Sequence, residues 1–97
     1  MITFINDEKK YLLWLKGHRK GFVVNSYKKP LSSFLMLHCA DCGTINSKKG
    51  NHTTHKYIKI CSQDKKKLNI WAKIKIKGDL LNCRRCNPQY GKQKVKK

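Results

Sequence analysis

The pattern of apolar and polar positions predicts three strands in the first two thirds of the chain. Aromatic and β-branched residues predict a strand at 21–25, which the Lys-Lys-Pro segment at 28–30 should end. A nearly continuous apolar run predicts a second, buried strand at 33–38. Alternating apolar and polar residues predict a third strand at 57–61.

Apolar residues at helical spacing predict one helix on each side of these strands. We expect the first over residues 8–16, with Asn6 or Asp7 as its N-cap. We expect the second to begin after Asp64 or Ser62 and to end near residue 76, although its last part also alternates like a strand. The order α-β-β-β-α indicates an α+β domain of three short strands and two helices.

Length and composition favour a single small domain. The chain has 97 residues, of which 39% are hydrophobic, so its core is modest and an added covalent or metal staple would help it fold. We expect the domain to cover residues 1–90 and the Lys-rich residues 91–97 to be a disordered tail. The first residues do not form a signal peptide and no apolar run could span a bilayer, so we expect a cytoplasmic protein without membrane contact.

Two Cys-x-x-Cys pairs are the most informative motif in the sequence. They comprise Cys39 with Cys42 and Cys83 with Cys86, which is the spacing of a four-thiolate zinc site. In a reducing compartment such pairs bind metal more often than they form disulfides. We therefore predict a structural zinc ion, Zn2+, and interpret the fifth cysteine, Cys61, as a thiol of the core.

The residue before the first pair leaves a second ligand set open. His38 adjoins Cys39, and neighbours on a strand point to opposite faces, so one of the two should reach the ion. The alternative to the four-cysteine set is therefore His38 with Cys42, Cys83 and Cys86.

Two further histidines, His52 and His55, lie in a polar segment that we interpret as a solvated loop, with a second metal site as the alternative. The chain has only five acidic residues, and two of them are expected to cap helices. They do not form the carboxylate cluster with which metal-dependent nucleases hold their ions. We expect no enzymatic activity, with nuclease activity as the alternative.

The charge of the chain indicates an anionic partner. Its 23 Lys and Arg residues against five acids give a net charge of +18. Such a surface attracts phosphate backbones and gains affinity by releasing counterions, so we predict nucleic-acid binding, with DNA favoured. The candidate contacts are the basic residues Arg19, Lys20, Lys48, Lys49, Lys65, Lys66, Lys67, Arg84 and Arg85.

Two other classes of function fit the same composition. The chain could be an RNA-associated or ribosomal-type zinc protein. It could also be a small inhibitor whose basic face binds an acidic surface of a host or defence protein.

Several segments of the chain together resemble a family of small bacterial domains. They are residues 11–15, 21–25, 29–30 and 34–38, Cys42, residues 57–61 and 71–72, and Cys83-x-x-Cys86-x-Pro88. Some members of that family resemble the N-terminal modules of restriction-type proteins that carry His-Asn-His nuclease domains. The resemblance covers most of residues 10–88 and implies a DNA-reading module in bacterial defence or phage counter-defence. It also implies His38 rather than Cys39 as the ligand beside Cys42, and it does not extend to a nuclease domain.

Overall fold

A computed structural model of the chain describes residues 1–47 and 50–88. Within these residues, the order of helices and strands differs from the predicted one. The elements are β1 Ile2–Phe4, α1 Glu8–Gly17, β2 Phe22–Leu31, β3 Phe34–Cys39, β4 Tyr57–Ser62, α2 Lys65–Trp71, a π-helical turn Ala72–Ile76, and β5 Leu81–Asn82. Residues 48–49 and the predicted tail at 91–97 lie outside the described part.

The described strands form one sheet with the order β1-β4-β2-β3-β5. All neighbouring strands are antiparallel except β3 and β5, which run parallel. The mixed α and β class is confirmed, but the prediction of three strands is wrong because the sheet has five. The two additional strands are its edges, and they contain only three and two residues.

The two helices pack on opposite faces of the sheet. Val23 lies opposite Cys61 in the β2–β4 register, and both belong to the apolar cluster that contains α1. Val24 lies opposite Ile60, and both belong to the second cluster, which contains α2. Because side chains alternate along a strand, consecutive residues of β2 and β4 supply two separate cores. Burial of Cys61 confirms its interpretation as a core thiol, and the same burial raises its pKa to about 12.

The N-terminus of α1 is capped by Asp7 and is hydrogen-bonded to Thr53, which is distant in sequence. Asp7 accepts a hydrogen bond from the N–H of Lys10, which confirms it as the N-cap. The Thr53 hydroxyl accepts a hydrogen bond from the Asp7 N–H, and Thr53 donates from both its N–H and its hydroxyl to the Glu8 carboxylate. Burial raises the pKa of Glu8, but these hydrogen bonds outweigh it and leave that pKa below its ordinary value.

The second helix confirms the prediction that helical structure reaches residue 76. Asp64 caps α2 by accepting a hydrogen bond from the N–H of Lys66 at 2.9 Å. The π-helical turn continues α2 directly and ends at Lys77, which adopts the left-handed conformation with a φ of 61°. Among the helices of the described residues, none combines the length and apolar character needed to cross a bilayer.

The Lys-Lys-Pro segment does not end its strand, so that prediction is wrong. β2 continues through Pro30 to Leu31, and its register with β3 shifts between Ser26 and Leu31. Proline cannot donate to a neighbouring strand, and an irregularity in the pairing is one of the places where a sheet accommodates it.

Candidate metal centre

Four potential metal ligands converge at one end of the sheet. The ligand atoms of His38, Cys42, Cys83 and Cys86 all lie within 4.8 Å of one another. The Cys42 and Cys83 sulfurs are 3.9 Å apart, close to the roughly 3.8 Å expected for two sulfurs bound tetrahedrally at about 2.3 Å from one ion. None of the five cysteines, all of which lie in the described residues, forms a disulfide. The cluster therefore has the composition and spacing of a Cys₃His metal site.

Two parallel strands bring the distant ligands together. His38 lies near the end of β3, and β5 runs beside it in the same direction, with Leu37 paired to Asn82. The N–H of Cys83 donates to the carbonyl oxygen of Leu37 at 2.9 Å and continues the pairing by one residue. The second Cys-x-x-Cys pair is therefore delivered directly to the end of β3.

Each Cys-x-x-Cys pair is folded into a hydrogen-bonded turn. In the first, the N–H of Cys42 donates to the carbonyl of Cys39 at 3.0 Å. In the second, the N–H of Asn87 donates to the carbonyl of Cys83 at 2.8 Å, and Asn87 has a φ of 47°. Asparagine adopts this left-handed conformation more readily than most residues, so it suits the end of the turn.

The structure brings together the alternative ligand set, with His38 in place of Cys39. The thiol of Cys39 is not part of the convergent group and lies 3.9 Å from the carbonyl oxygen of Cys86. Its backbone N–H instead donates to the Cys86 sulfur at 3.1 Å. In the register with β2, His38 lies opposite Val23 and Cys39 opposite Phe22, so their side chains project to opposite faces.

Burial keeps His38 in the form that binds metal. Loss of solvent, with a smaller effect from the nearby charge of Lys59, lowers the pKa of His38 to about 4. The imidazole is therefore neutral at physiological pH, and a neutral ring nitrogen is the ligand form of histidine.

The pKa shifts of the cysteine thiols indicate that the site favours a bound cation. Burial raises the pKa of Cys83, but N–H groups of Cys86 and Arg85 that donate to its sulfur leave the pKa below its ordinary value. Burial, and then the proximity of the Cys39 and Cys42 thiols, raise the pKa of Cys86. Adjacent thiolates repel one another, and a bound cation removes that penalty because it is attracted to each of them.

Thr44 supports two of the ligands from outside the group. Its hydroxyl oxygen lies 3.0 Å from the Cys42 sulfur and 3.4 Å from Nδ1 of His38. Hydrogen bonds of this kind orient metal ligands and tune their basicity. The Cys-x-x-Cys motif does not indicate Thr44, because the contacts of Thr44 depend on the fold of the first turn.

The predicted basic contacts lie on several surfaces. Arg84 and Arg85 are exposed between the two cysteines of the second turn, and Arg19 and Lys20 are exposed after α1. The remaining three described candidates lie in the first turn of α2, where Lys66 and Lys67 are exposed and Lys65 is half-buried, with its Nζ 5.9 Å from the Phe22 ring centre. Lys48 and Lys49 lie outside the described residues.

The histidine-containing segment is more buried than predicted. His55 is exposed, but His52 is buried, so the interpretation of the whole segment as a solvated loop is wrong. Nε2 of His52 lies 2.8 Å from the carbonyl oxygen of Ser47, and its ring packs against Tyr11 at 5.6 Å. The carbonyl of His52 accepts a hydrogen bond at 2.6 Å from the ammonium of Lys59, a buried residue that the sequence pattern did not indicate as special.

Comparison with known proteins gives no family for this chain: no family model, no curated protein and no solved structure matches it.

Proposed function

We infer that this chain is a small zinc-stapled protein that binds nucleic acid, DNA foremost, through its basic surface. The observation that carries the proposal is the position of Arg84 and Arg85, which are exposed on the turn between two ligands of the metal centre. A bound ion would hold the backbone of that turn. Less conformational entropy would then be lost when the two guanidinium groups bind a phosphate.

The overall charge supports the same proposal. The net charge is +18, and among pairs of described residues one ion pair is found, between Lys73 and Asp79 at 2.7 Å. With five acidic residues against 23 basic ones in the chain, acidic neighbours can neutralise little of the basic surface. A field of this sign attracts a polyanion, and binding releases the counterions condensed on it.

Zinc is the metal that best fits the donor set. Three thiols and one imidazole suit a tetrahedral zinc ion, and they leave no coordination position for a reactive water. The ion would therefore act structurally, by holding the two turns together.

Elemental analysis of purified variants tests the metal and its ligands. We expect about one zinc per wild-type chain, full zinc in Cys39→Ser, and loss of zinc in His38→Ala and Cys83→Ser. Full zinc in His38→Ala with loss in Cys39→Ser would contradict the ligand set. Iron in place of zinc would contradict the identity of the metal.

The salt dependence of binding tests the mechanism on DNA. A protein that neutralises Z phosphates on duplex DNA shows a log–log slope of affinity against salt of about −0.9Z. We expect Arg84→Ala and Arg85→Ala each to make the slope shallower by about one and to weaken binding to all sequences similarly. Lys73→Ala is the matched control, because its ammonium is already paired with Asp79. Affinity that does not change with salt would contradict the proposal.

An acidic protein partner is the second candidate, and a groove beside α1 favours it. The groove has a volume of about 580 Å³. Its lining includes the apolar residues Leu12 and Leu13 and the charged residues Lys9, Lys16, Arg19 and Asp41, so basic groups predominate among its charges. Such a surface suits an acidic, partly apolar segment of another protein, as an inhibitor of a host or defence protein would require. Recovery of a specific protein after nuclease treatment of a pull-down, lost in Leu13→Asp, would support this candidate over nucleic acid.

A further inference from the structure

Three aromatic side chains form a cluster outside both apolar cores. Tyr27 lies 4.9 Å from Phe34 and 5.5 Å from Tyr57 between ring centres, and Phe34 lies 6.3 Å from Tyr57. None of the three belongs to the two core clusters or to the half-buried residues packed against them. Each of the three residues is half-buried and keeps part of its surface in contact with solvent. This aromatic cluster therefore lies outside the cores and remains partly accessible.

The cluster lies at the end of the sheet away from the metal centre. Tyr27 and Tyr57 face each other directly in the β2–β4 register, and Phe34 begins β3. His38 lies four residues further along β3, which is about 13 Å at the rise of an extended strand. The aromatic cluster and the metal centre are thus separate features of one sheet.

Basic residues adjoin the aromatic cluster. Lys28 and Lys29 follow Tyr27, Lys56 precedes Tyr57, and all three lysines are exposed. The N–H of Lys28 donates to the carbonyl of Lys56 at 3.1 Å, and Nζ of Lys59 lies 5.5 Å from the centre of the Tyr57 ring. The strands β2, β3 and β4 contain no acidic residue. The charge around the rings is therefore complementary to a phosphate backbone.

We propose that Tyr27, Phe34 and Tyr57 form a stacking platform for unpaired bases of single-stranded nucleic acid. The lysines around the platform hold the phosphates of the same strand. Bases in a duplex stack on one another and do not offer their faces to a protein, whereas unpaired bases stack on aromatic side chains regardless of sequence. The inference rests on the proposed nucleic-acid binding and assigns its substrate class.

The zinc-loaded full chain can be tested by fluorescence anisotropy against three labelled probes. These are a 12-nucleotide thymidine strand, an abasic strand of the same length, and a 12-base-pair duplex. Because the abasic strand keeps the phosphates and lacks the bases, the ratio of the two single-strand affinities isolates stacking. We expect the thymidine strand to bind more tightly than the abasic strand by about 5-fold to 150-fold for each stacked base.

Paired substitutions separate the rings from the charges. Tyr57→Leu and Tyr27→Leu should weaken thymidine-strand binding by about 5-fold or more and leave abasic binding unchanged. Tyr57→Phe keeps the ring and should bind like the wild type. Lys28→Gln with Lys56→Gln should weaken both single strands equally, since that variant removes only charge.

Photocrosslinking provides a readout that does not require a folded variant. A 12-nucleotide strand containing 5-bromouracil, irradiated with the wild-type protein, should crosslink to peptides that carry Tyr27, Phe34 or Tyr57. Crosslinks confined to peptides around Arg84 and Arg85 would overturn the platform.

The outcomes distinguish the platform from the function on which it rests. Absence of binding to all three probes would contradict nucleic-acid binding itself. Equal affinity for the thymidine and abasic strands, with salt-dependent binding retained, would overturn the platform and leave nucleic-acid binding in place. Tighter binding of the duplex than of the thymidine strand would also overturn it.

Discussion

A buried hydrogen bond from Tyr11 connects α1 to the loop that carries the first metal-binding turn. The side chain is 0% exposed, and its hydroxyl donates to the carbonyl oxygen of Ile45 at 2.6 Å. Ile45 is itself buried, and its N–H donates to the carbonyl of Cys42 at 3.2 Å. In Tyr11→Phe the ring remains, but the Ile45 carbonyl loses its donor where solvent cannot replace it.

The expected loss follows from leaving a buried acceptor without a partner. That penalty is about 1–3 kcal/mol, so we expect the free energy of unfolding to fall by about 2 kcal/mol. For a domain of this size, such a change lowers Tm by about 8–16 °C. Burial raises the pKa of Tyr11 far above its ordinary value, so the hydroxyl stays protonated and the loss should be the same from pH 6 to pH 9.

Urea denaturation followed by circular dichroism, with excess zinc held constant, measures this difference. A fixed metal concentration is needed because ligand binding to the native state adds to apparent stability. Tyr27→Phe is the matched control: among the described residues no hydrogen bond of the Tyr27 hydroxyl is found, so we expect a change within about 0.5 kcal/mol. A Tyr11→Phe variant within about 0.3 kcal/mol of the wild type would refute the reasoning.

Three further predictions concern other parts of the molecule. Thr44→Val should weaken metal binding by about 10-fold to 100-fold in a chelator competition, while Thr44→Ser should bind metal about as tightly as the wild type. If Thr44→Val and the wild type bind metal equally tightly, Thr44 does not support the ligands. Burial lowers the pKa of Lys59 from 10.5 to about 8, so its destabilising charge is present in full below pH 8 and is relieved as pH rises toward 10.5. The free energy of unfolding of the wild type relative to Lys59→Met should therefore rise across that window, by up to about 1.4 kcal/mol per pH unit. If urea denaturation gives the two proteins the same dependence of this free energy on pH, the prediction is contradicted. Gly21→Ala should lower Tm because a Cβ there would lie 2.8 Å from the ring of Trp14, while Gly17→Ala meets no atom within 4 Å and should leave Tm unchanged or raise it; equal effects would contradict the steric reason.

The features that were predicted correctly depend on residues close together in sequence. Asp7 and Asp64 each cap a helix through a hydrogen bond to an N–H two or three residues away. The strand at 57–61 was predicted because apolar and polar residues alternate over that short segment. Such signals need no knowledge of the rest of the fold.

The spacing of the cysteines identified three of the four convergent ligands and left the fourth open. The decision between His38 and Cys39 depends on which face of β3 the second turn approaches, and β5 fixes that approach. A strand of two residues has too little sequence to carry a pattern, so neither β5 nor its pairing with β3 could be predicted. The resemblance to small bacterial domains implied His38, and that resemblance itself stays a prediction.

Long-range contacts explain the remaining differences. Thr53 is fully buried because the N-terminus of α1 folds over it, through hydrogen bonds between residues 45 and 46 positions apart. His52 is buried in the same segment, although its neighbours in sequence are polar. Polarity predicted a solvated segment, whereas the helix terminus supplied partners for its polar groups.

The convergence of β3 and β5 has a consequence for how the chain retains its fold. An ion bound there would cross-link His38 to Cys86 and close a loop of nearly half the sequence. A permanent cross-link of that length stabilises the folded state by about 4 kcal/mol, because it lowers the conformational entropy of the unfolded chain. Unlike a disulfide, the cross-link through the ion can be withdrawn by competition for the ion. The fraction of folded molecules would then follow the free metal concentration of the compartment, and with it the placement of Arg84 and Arg85 on the second turn.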